Sequence, residues 1–225
     1  LRRLCKKAKD AGFTHVKFKV GRDLQDDIRR LKIAREVLGN HVQLMIDANQ
    51  VWEVNQAIEW INKLQFASPL FIEEPTSPDD ISGHKNIKKR VFPIKVATGE
   101  MCQNRIIFKQ FIKEDAIDIV QIDSCRMGGL NEVLAVMIMA EKYKKPIWPH
   151  AGGVGLCEYV QHISMIDYLL ISCEKNSKRI EYVDHLHEHF LHPCKIMNGN
   201  YMAPFDPGFS IEMKSSTLND YLFKS

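Results

Sequence analysis

A chain of 225 residues that is 45% hydrophobic and 26% charged has the balance of a soluble globular protein and enough apolar material for one sizeable core. A formal net charge of +3 is too small an excess of base to call for nucleic acid, and the most basic stretch, Lys85-Asn86-Ile87-Lys88-Lys89-Arg90, reads as a solvated helix face. The six cysteines (Cys5, Cys102, Cys125, Cys157, Cys173 and Cys194) hold no CxxC pair and no disulfide-framework spacing, which points to reduced thiols inside a cell, and the longest apolar run, Val133 to Ala140, is too short to cross a bilayer.

The chain begins at Leu1 without Met, and the segment up to Gly12 reads as a helix, so a targeting segment could lie upstream. From there one pattern recurs: a short β-branched run, a polar loop and an amphipathic helix. The runs are Val16–Val20, Gln43–Asp47, Leu70–Glu73, Ile94–Thr98, Ile117–Ile122 and Pro146–Pro149, with a less distinct seventh at Ile180–Val183. Leu24, Ile28, Leu31, Ala34 and Leu38 recur at helical spacing, and Gly39 ends that helix. Ala57, Ile58, Ile61 and Leu64 repeat the stripe, as do Ile106, Ile107, Phe111 and Ile112. Alternating strands and helices predict an α/β fold of parallel units. Six or seven such units in one domain fit a closed barrel better than an open doubly wound sheet, and no glycine-rich dinucleotide loop is present.

In such a barrel the chemistry gathers at the C-terminal ends of the strands. Here the runs end, in order, at Lys17 and Lys19, Asp47, Glu73 with Glu74, Glu100, Asp123, His150 and Glu181. A carboxylate at one strand end is ordinarily a cap or a surface group. Successive strands ending this way would bring the groups around one axis. Asp47, Glu73 and Glu100 would form an all-oxygen cage, the donor set of a hard cation such as Mg²⁺. Without a cation their mutual repulsion would raise their pKa values. Lys17 and Lys19 share one strand face. Their repulsion should lower both pKa values and makes Lys19 a candidate neutral base. Asp123 and His150 have the form of a dyad in which a carboxylate fixes the imidazole tautomer. The combined chemistry is proton abstraction beside a carboxylate, with the enediolate charge absorbed by a cation and by positioned donors.

The motifs Lys17-Phe18-Lys19, Asp47-Ala48-Asn49, Ile72-Glu73-Glu74-Pro75, Thr98-Gly99-Glu100, Asp123 ahead of Gly128-Gly129, and Pro149-His150 resemble the mandelate-racemase-like branch of the enolase superfamily. The segments Thr76–Asp80, Gln121–Arg126, His150–Gly155 and Glu181–His187 are most similar to the L-fuconate dehydratases. The resemblance implies a modified TIM barrel, (β/α)7β, with strands 2 to 8 over residues 1–203 and a C-terminal tail over 204–225. It also implies that an N-terminal α+β capping domain and the first barrel strand lie outside this sequence, so that the chain alone could hold the ligands yet be inactive. For the site, it implies that Asp47, Glu73 and Glu100 bind Mg²⁺, Lys19 exchanges the C2 proton, and Lys17 contacts the substrate carboxylate. His150, oriented by Asp123, helps the 3-hydroxyl leave, while Asn49, the backbone around Ala151 and Gly152, and Glu181 touch the substrate. The expected partner is a small acid sugar, with no nucleic acid or membrane, in a homo-oligomer of the mitochondrion or cytosol. A dehydratase or epimerase acting on another aldonate is the alternative.

Four further features carry less. His185, His187 and His189 alternate, with His192 following, a pattern that can chelate zinc from one strand face but more simply marks a polar loop. Trp52 and Trp60 read as packing. Cys102 and Cys125 lie just beyond Glu100 and Asp123 with no base to activate them, and Asp206-Pro207-Gly208-Phe209 reads as a structural turn.

Overall fold

Five strands pair in chain order, each parallel to the next, in the computed structural model, which describes residues 1–176 and 178–223. They are β1 (His15–Lys19), β2 (Gln43–Asp47), β3 (Phe71–Glu73), β4 (Lys95–Thr98) and β5 (Ile119–Val120). Parallel neighbours need long crossovers, and each crossover contains a helix: α2 (Leu24–Leu38), α3 (Val54–Leu64), α4 (Ile81–Arg90) and α5 (Arg105–Lys113). α1 (Arg2–Asp10) precedes β1, while α6 (Leu130–Lys142) and α7 (Leu156–Ile166) follow β5. A short antiparallel hairpin, β6 (Ile196–Met197) with β7 (Asn200–Tyr201), and α8 (Ser215–Asp220) complete the chain.

The helix boundaries follow side-chain chemistry. Asp23, Asp80 and Asn104 cap α2, α4 and α5 by accepting from Asp26 N at 2.7 Å, Gly83 N at 2.7 Å and Ile106 N at 2.9 Å, each cap contributing about 1 kcal/mol. Gly39 ends α2 at φ 72°, where a Cβ would be strained. The stripe expected on α5 is shifted: Ile106 is 47% exposed, and Phe108, Phe111 and Ile112 are the buried residues.

Two expected strands take another form. Around Pro146–Pro149 only Ile147 bridges Val120, yet the ladder continues through Trp148 N to Val120 O at 2.9 Å and His150 N to Ile122 O at 3.0 Å. Ile180–Val183 forms no strand, although Glu181 N still reaches Pro149 O at 3.3 Å. Prolines at 146 and 149 cannot donate to a ladder, which shortens the regular pairing there.

The sheet has two unlike faces. Leu44, Ile46, Ile72, Val96 and Val120 pack outward against the helices in the main core. On the other face Phe71, Ala97 and Ile119 pack with Met45, Leu70 and Trp148. Side chains two apart share a face, so Asp47 follows Met45 and Glu73 follows Phe71, placing the charged row directly beyond this apolar layer. Trp52 and Trp60 pack edge to face at 5.6 Å. In the basic run on α4, Lys85 pairs with Glu114 at 2.7 Å and Lys88 with Asp115 at 2.7 Å, while Lys89 and Arg90 are exposed.

Candidate active site

The strand register sets the first half of the site. Lys19 pairs with Asp47 and Asp47 with Glu73 across β1, β2 and β3, so these ends lie side by side. Lys17 Nζ is 2.7 Å from Glu73 Oε1, 2.8 Å from Glu181 Oε1 and 3.2 Å from Asp47 Oδ2. Lys19 Nζ is 2.6 Å from Asp47 Oδ2. The two lysines are therefore separated by carboxylates instead of facing each other. This overturns the expectation that Lys17 loses basicity: burial opposes its charge, but Glu73, Glu181 and Asp47 outweigh burial and raise its pKa. The lysines also differ in setting, since the Lys17 side chain is 17% exposed and that of Lys19 63%.

The carboxylates respond unequally. Burial pushes Glu73 up to about 8, against the pull of Lys17, with Asp47 and Glu181 adding repulsion. Asp47 is held below the usual range, because Lys17, Lys19 and the Asn49 backbone N–H overcome its burial. Asn49 N donates to Asp47 Oδ1 at 2.9 Å, from a residue at φ 44°.

The second half is built on His150. Its Nδ1 lies 2.9 Å from Asp123 Oδ2, and its Nε2 lies 3.4 Å from Glu100 Oε2 and 3.7 Å from Glu181 Oε2. Burial opposes the imidazolium, but Asp123, Glu181 and Glu100 raise the pKa of His150. Asp123 also accepts from Cys125 N at 2.6 Å. Glu181 links the halves: Oε1 meets Lys17, while Oε2 accepts from Ala151 N at 2.7 Å. Gly152 N reaches His150 Nε2 at 3.3 Å, which matches a tautomer carrying its proton on Nδ1, toward Asp123.

Glu73 Oε2 and Glu100 Oε2 are buried with no hydrogen-bond partner. Buried carboxylate oxygens that accept no hydrogen bond in a polar cluster fit a hard cation. The three expected ligands are not drawn into one tight cage, however. Among the described residues, the one set of three or more His, Cys, Asp or Glu ligand atoms mutually within 4.8 Å is Glu158, His187 and Cys194. Asp47 and Glu73 are instead turned onto the two ammonium groups.

A family model described as enolase C-terminal domain-like matches residues 1–217. The chain belongs to the enolase superfamily. Mitochondrial enolase superfamily member 1 of Homo sapiens is 52% identical over 225 residues, which cover 99% of this chain and 51% of that protein. Its crystal structure superposes with a TM-score of 0.94 at 53% identity, over 96% of this chain and 49% of that one. The L-galactonate dehydratase of Hypocrea jecorina is 55% identical over 98% of this chain and 50% of its own length. A crystal structure of L-talarate dehydratase from Polaromonas sp. JS666, complexed with Mg and L-glucarate, superposes with a TM-score of 0.81 at 26% identity, over 93% of this chain and 56% of that chain. The chain thus spans about half the length of these curated relatives. Within this enolase-superfamily frame, no helix among the described residues is long and apolar enough to cross a membrane.

Sequence reasoning gave Glu74 no role, yet it is fully buried beside the cluster. Its Oε1 accepts from Gln50 at 2.8 Å, and burial together with Glu100 raises it to about 7. The doubled acid before Pro75 was the available signal. The alternating histidines do not line a strand face, because His187–His189 form a single 3₁₀ turn. His189 turns to Thr217 Oγ1 at 3.2 Å and His192 to Asp206 at 3.2 Å, leaving His187 with Glu158 and Cys194.

Proposed function

We propose that this chain carries the acid/base and metal-ligating part of a Mg²⁺-dependent acid-sugar hydro-lyase that converts L-fuconate to 2-keto-3-deoxy-L-fuconate. The observation that carries the reading is the placement of Lys19 and the Asp123–His150 pair at opposite ends of one carboxylate cluster. Asp47, Glu73 and Glu100 would hold the ion. When bound, Mg²⁺ supplies stabilisation of the negative charge that develops on the substrate carboxylate. Lys17 adds a fixed positive charge for that carboxylate. Lys19, in its unprotonated form, takes the C2 proton. His150, charged and held by Asp123, gives its proton to the departing 3-hydroxyl, so that water leaves and an enol remains. That enol tautomerises to the 2-keto product, and Lys19 returns its proton to solvent. Asn49, Ala151, Gly152 and Glu181 line the substrate position.

In this reading residues 1–203 are a closed barrel and 204–225 a tail that folds back, as Phe190 bridging Met213 supports. The part of the relatives beyond this chain would contain the capping domain. The partner is the small acid sugar, the assembly a homo-oligomer, and the human relative's name favours the mitochondrion over the cytosol.

The identity to an L-galactonate dehydratase supports a second substrate. L-Fuconate is 6-deoxy-L-galactonate, so the two share C2 and C3 stereochemistry and differ by one hydroxyl remote from the reacting bond. The test is NMR of the full-length protein with Mg²⁺ and each acid in D₂O. C2 exchange or 2-keto-3-deoxy product, lost in Lys19→Ala and His150→Asn, is the expected result. Product from L-galactonate alone would reassign the substrate, and no exchange with either acid would reject the reading.

A further inference from the structure

A second cluster of ligating side chains lies behind Glu181, at the start of α7. Glu158 sits in the first turn of that helix and is 1% exposed. Its Oε1 is 2.6 Å from His187 Nδ1 and 3.3 Å from Cys194 N. Cys194 Sγ lies 3.8 Å from His187 Nδ1, and Cys157, next to Glu158 in the chain, turns its thiol to Ala151 O at 3.7 Å and Val183 O at 3.9 Å. The first turn of α7 and the irregular stretch that holds residues 187 and 194 thus deliver a carboxylate, an imidazole and a sulfur to one half-buried point.

We propose that Glu158, His187 and Cys194, with Cys157 beside them, form a binding site for a divalent transition ion of the zinc type, separate from the all-oxygen site. The donor set decides the class of ion. Thiolate and imidazole suit Zn²⁺ and are poor ligands for Mg²⁺. The spacing fits as well. Zinc bonds of about 2.0–2.3 Å put tetrahedral neighbours roughly 3.3–3.8 Å apart. The ligand atoms of Glu158, His187 and Cys194 already lie within 4.8 Å of one another. Cys194 Sγ and His187 Nδ1 are at 3.8 Å, and the 2.6 Å Glu158–His187 contact must open, which follows when an ion replaces the shared proton.

The imidazole is set for this role. His187 Nε2 lies 2.8 Å from Val183 O, so Nε2 keeps its proton and Nδ1 faces the cluster. Donation of the outer N–H to a carbonyl is the usual support of a metal-bound histidine. The same contact ties the site to the neighbouring one: Val183 follows Glu181 by two residues, and Tyr201 Oη holds the Glu181 carbonyl at 2.5 Å. An ion here would pin the segment that presents Glu181 to Lys17 and Ala151.

The competing occupant is a proton, which would make Glu158 and His187 a simple ion pair. The experiment strips the reduced full chain with a chelator, adds excess Mg²⁺ to fill the oxygen site, and titrates with Zn²⁺ and with Co²⁺. The expected result is tight Zn²⁺ retention and a Co²⁺ complex with sulfur-to-metal charge-transfer absorption and strong tetrahedral d–d bands. Cys194→Ser and His187→Gln should each weaken Zn²⁺ binding beyond the roughly 10–100-fold that outer-sphere partners carry. A Co²⁺ complex of the unsubstituted chain without sulfur charge transfer overturns the proposal, even if the variants fail to fold. So does Zn²⁺ affinity unchanged in both folded variants.

Discussion

Asp123 Oδ2 lies 2.9 Å from His150 Nδ1, and that contact aims the other ring nitrogen at Glu100 and Glu181. Asp123→Asn keeps the shape and removes the charge. The His150 titration midpoint, read by ring-proton NMR, should fall. A histidine with a raised folded pKa stabilises fully below its unfolded value of about 6.5, and that contribution is lost as pH rises through the folded value. The stability deficit of the variant should therefore be largest between about pH 4 and 6.5 and shrink above. Dehydration should fall about 10²–10⁴-fold. A His150 midpoint unchanged in the variant would remove Asp123 from its orienting role.

Among the described residues, Lys17 is the one ammonium shared by Asp47, Glu73 and Glu181. Lys17→Met leaves those acids facing one another in a buried setting. Breaking such a cluster from one side costs about 3–5 kcal/mol, measurable by urea unfolding. Added Mg²⁺ should recover part of that loss, because a cation can replace the missing charge. Equal loss with and without Mg²⁺ would argue that the acids do not share an ion.

The Glu73 shift gives a pH signature. With the folded value raised to about 8, its ionisation in place costs nothing below the unfolded value of about 4.3 and progressively more as pH rises toward about 8. Metal binding there must displace the proton. The increase in thermal midpoint on adding Mg²⁺ should thus be small near roughly pH 6 and grow through roughly pH 8. An increment independent of pH would place the Mg²⁺ effect elsewhere.

The order of parallel units was legible because β-branched runs, capping acids and helical stripes agree locally. Which polar residues meet was legible from period two and the parallel register, which carry Lys19, Asp47 and Glu73 to adjacent strand ends. The electrostatics were not. Repulsion between Lys17 and Lys19 was expected from their own strand, whereas the potential at Lys17 is set by acids from β2, from β3 and from residue 181. For the Glu158–His187–Cys194 cluster the alternating histidines marked His187 alone and suggested a strand face; its partners come from a helix turn and from residue 194, and no local periodicity marks that meeting.

Gly99 shows how closely the Glu100 arm is fitted. It adopts φ 145°, and a Cβ there would meet Gln121 O at 2.5 Å and Phe108 Cε1 at 2.8 Å. The backbone oxygen cannot retreat, since Gln121 is held in the ladder by its N–H on Thr98 O at 3.1 Å. Gly99→Ala must therefore displace the turn that presents Glu100, at a cost of about 1–3 kcal/mol from overpacking. Because Glu100 is the next residue, Mg²⁺ affinity should fall more than stability alone explains. Isothermal titration of the folded variant measures this. A variant that is destabilised yet binds Mg²⁺ unchanged would show that Glu100 reaches the ion independently of this turn, or does not bind it.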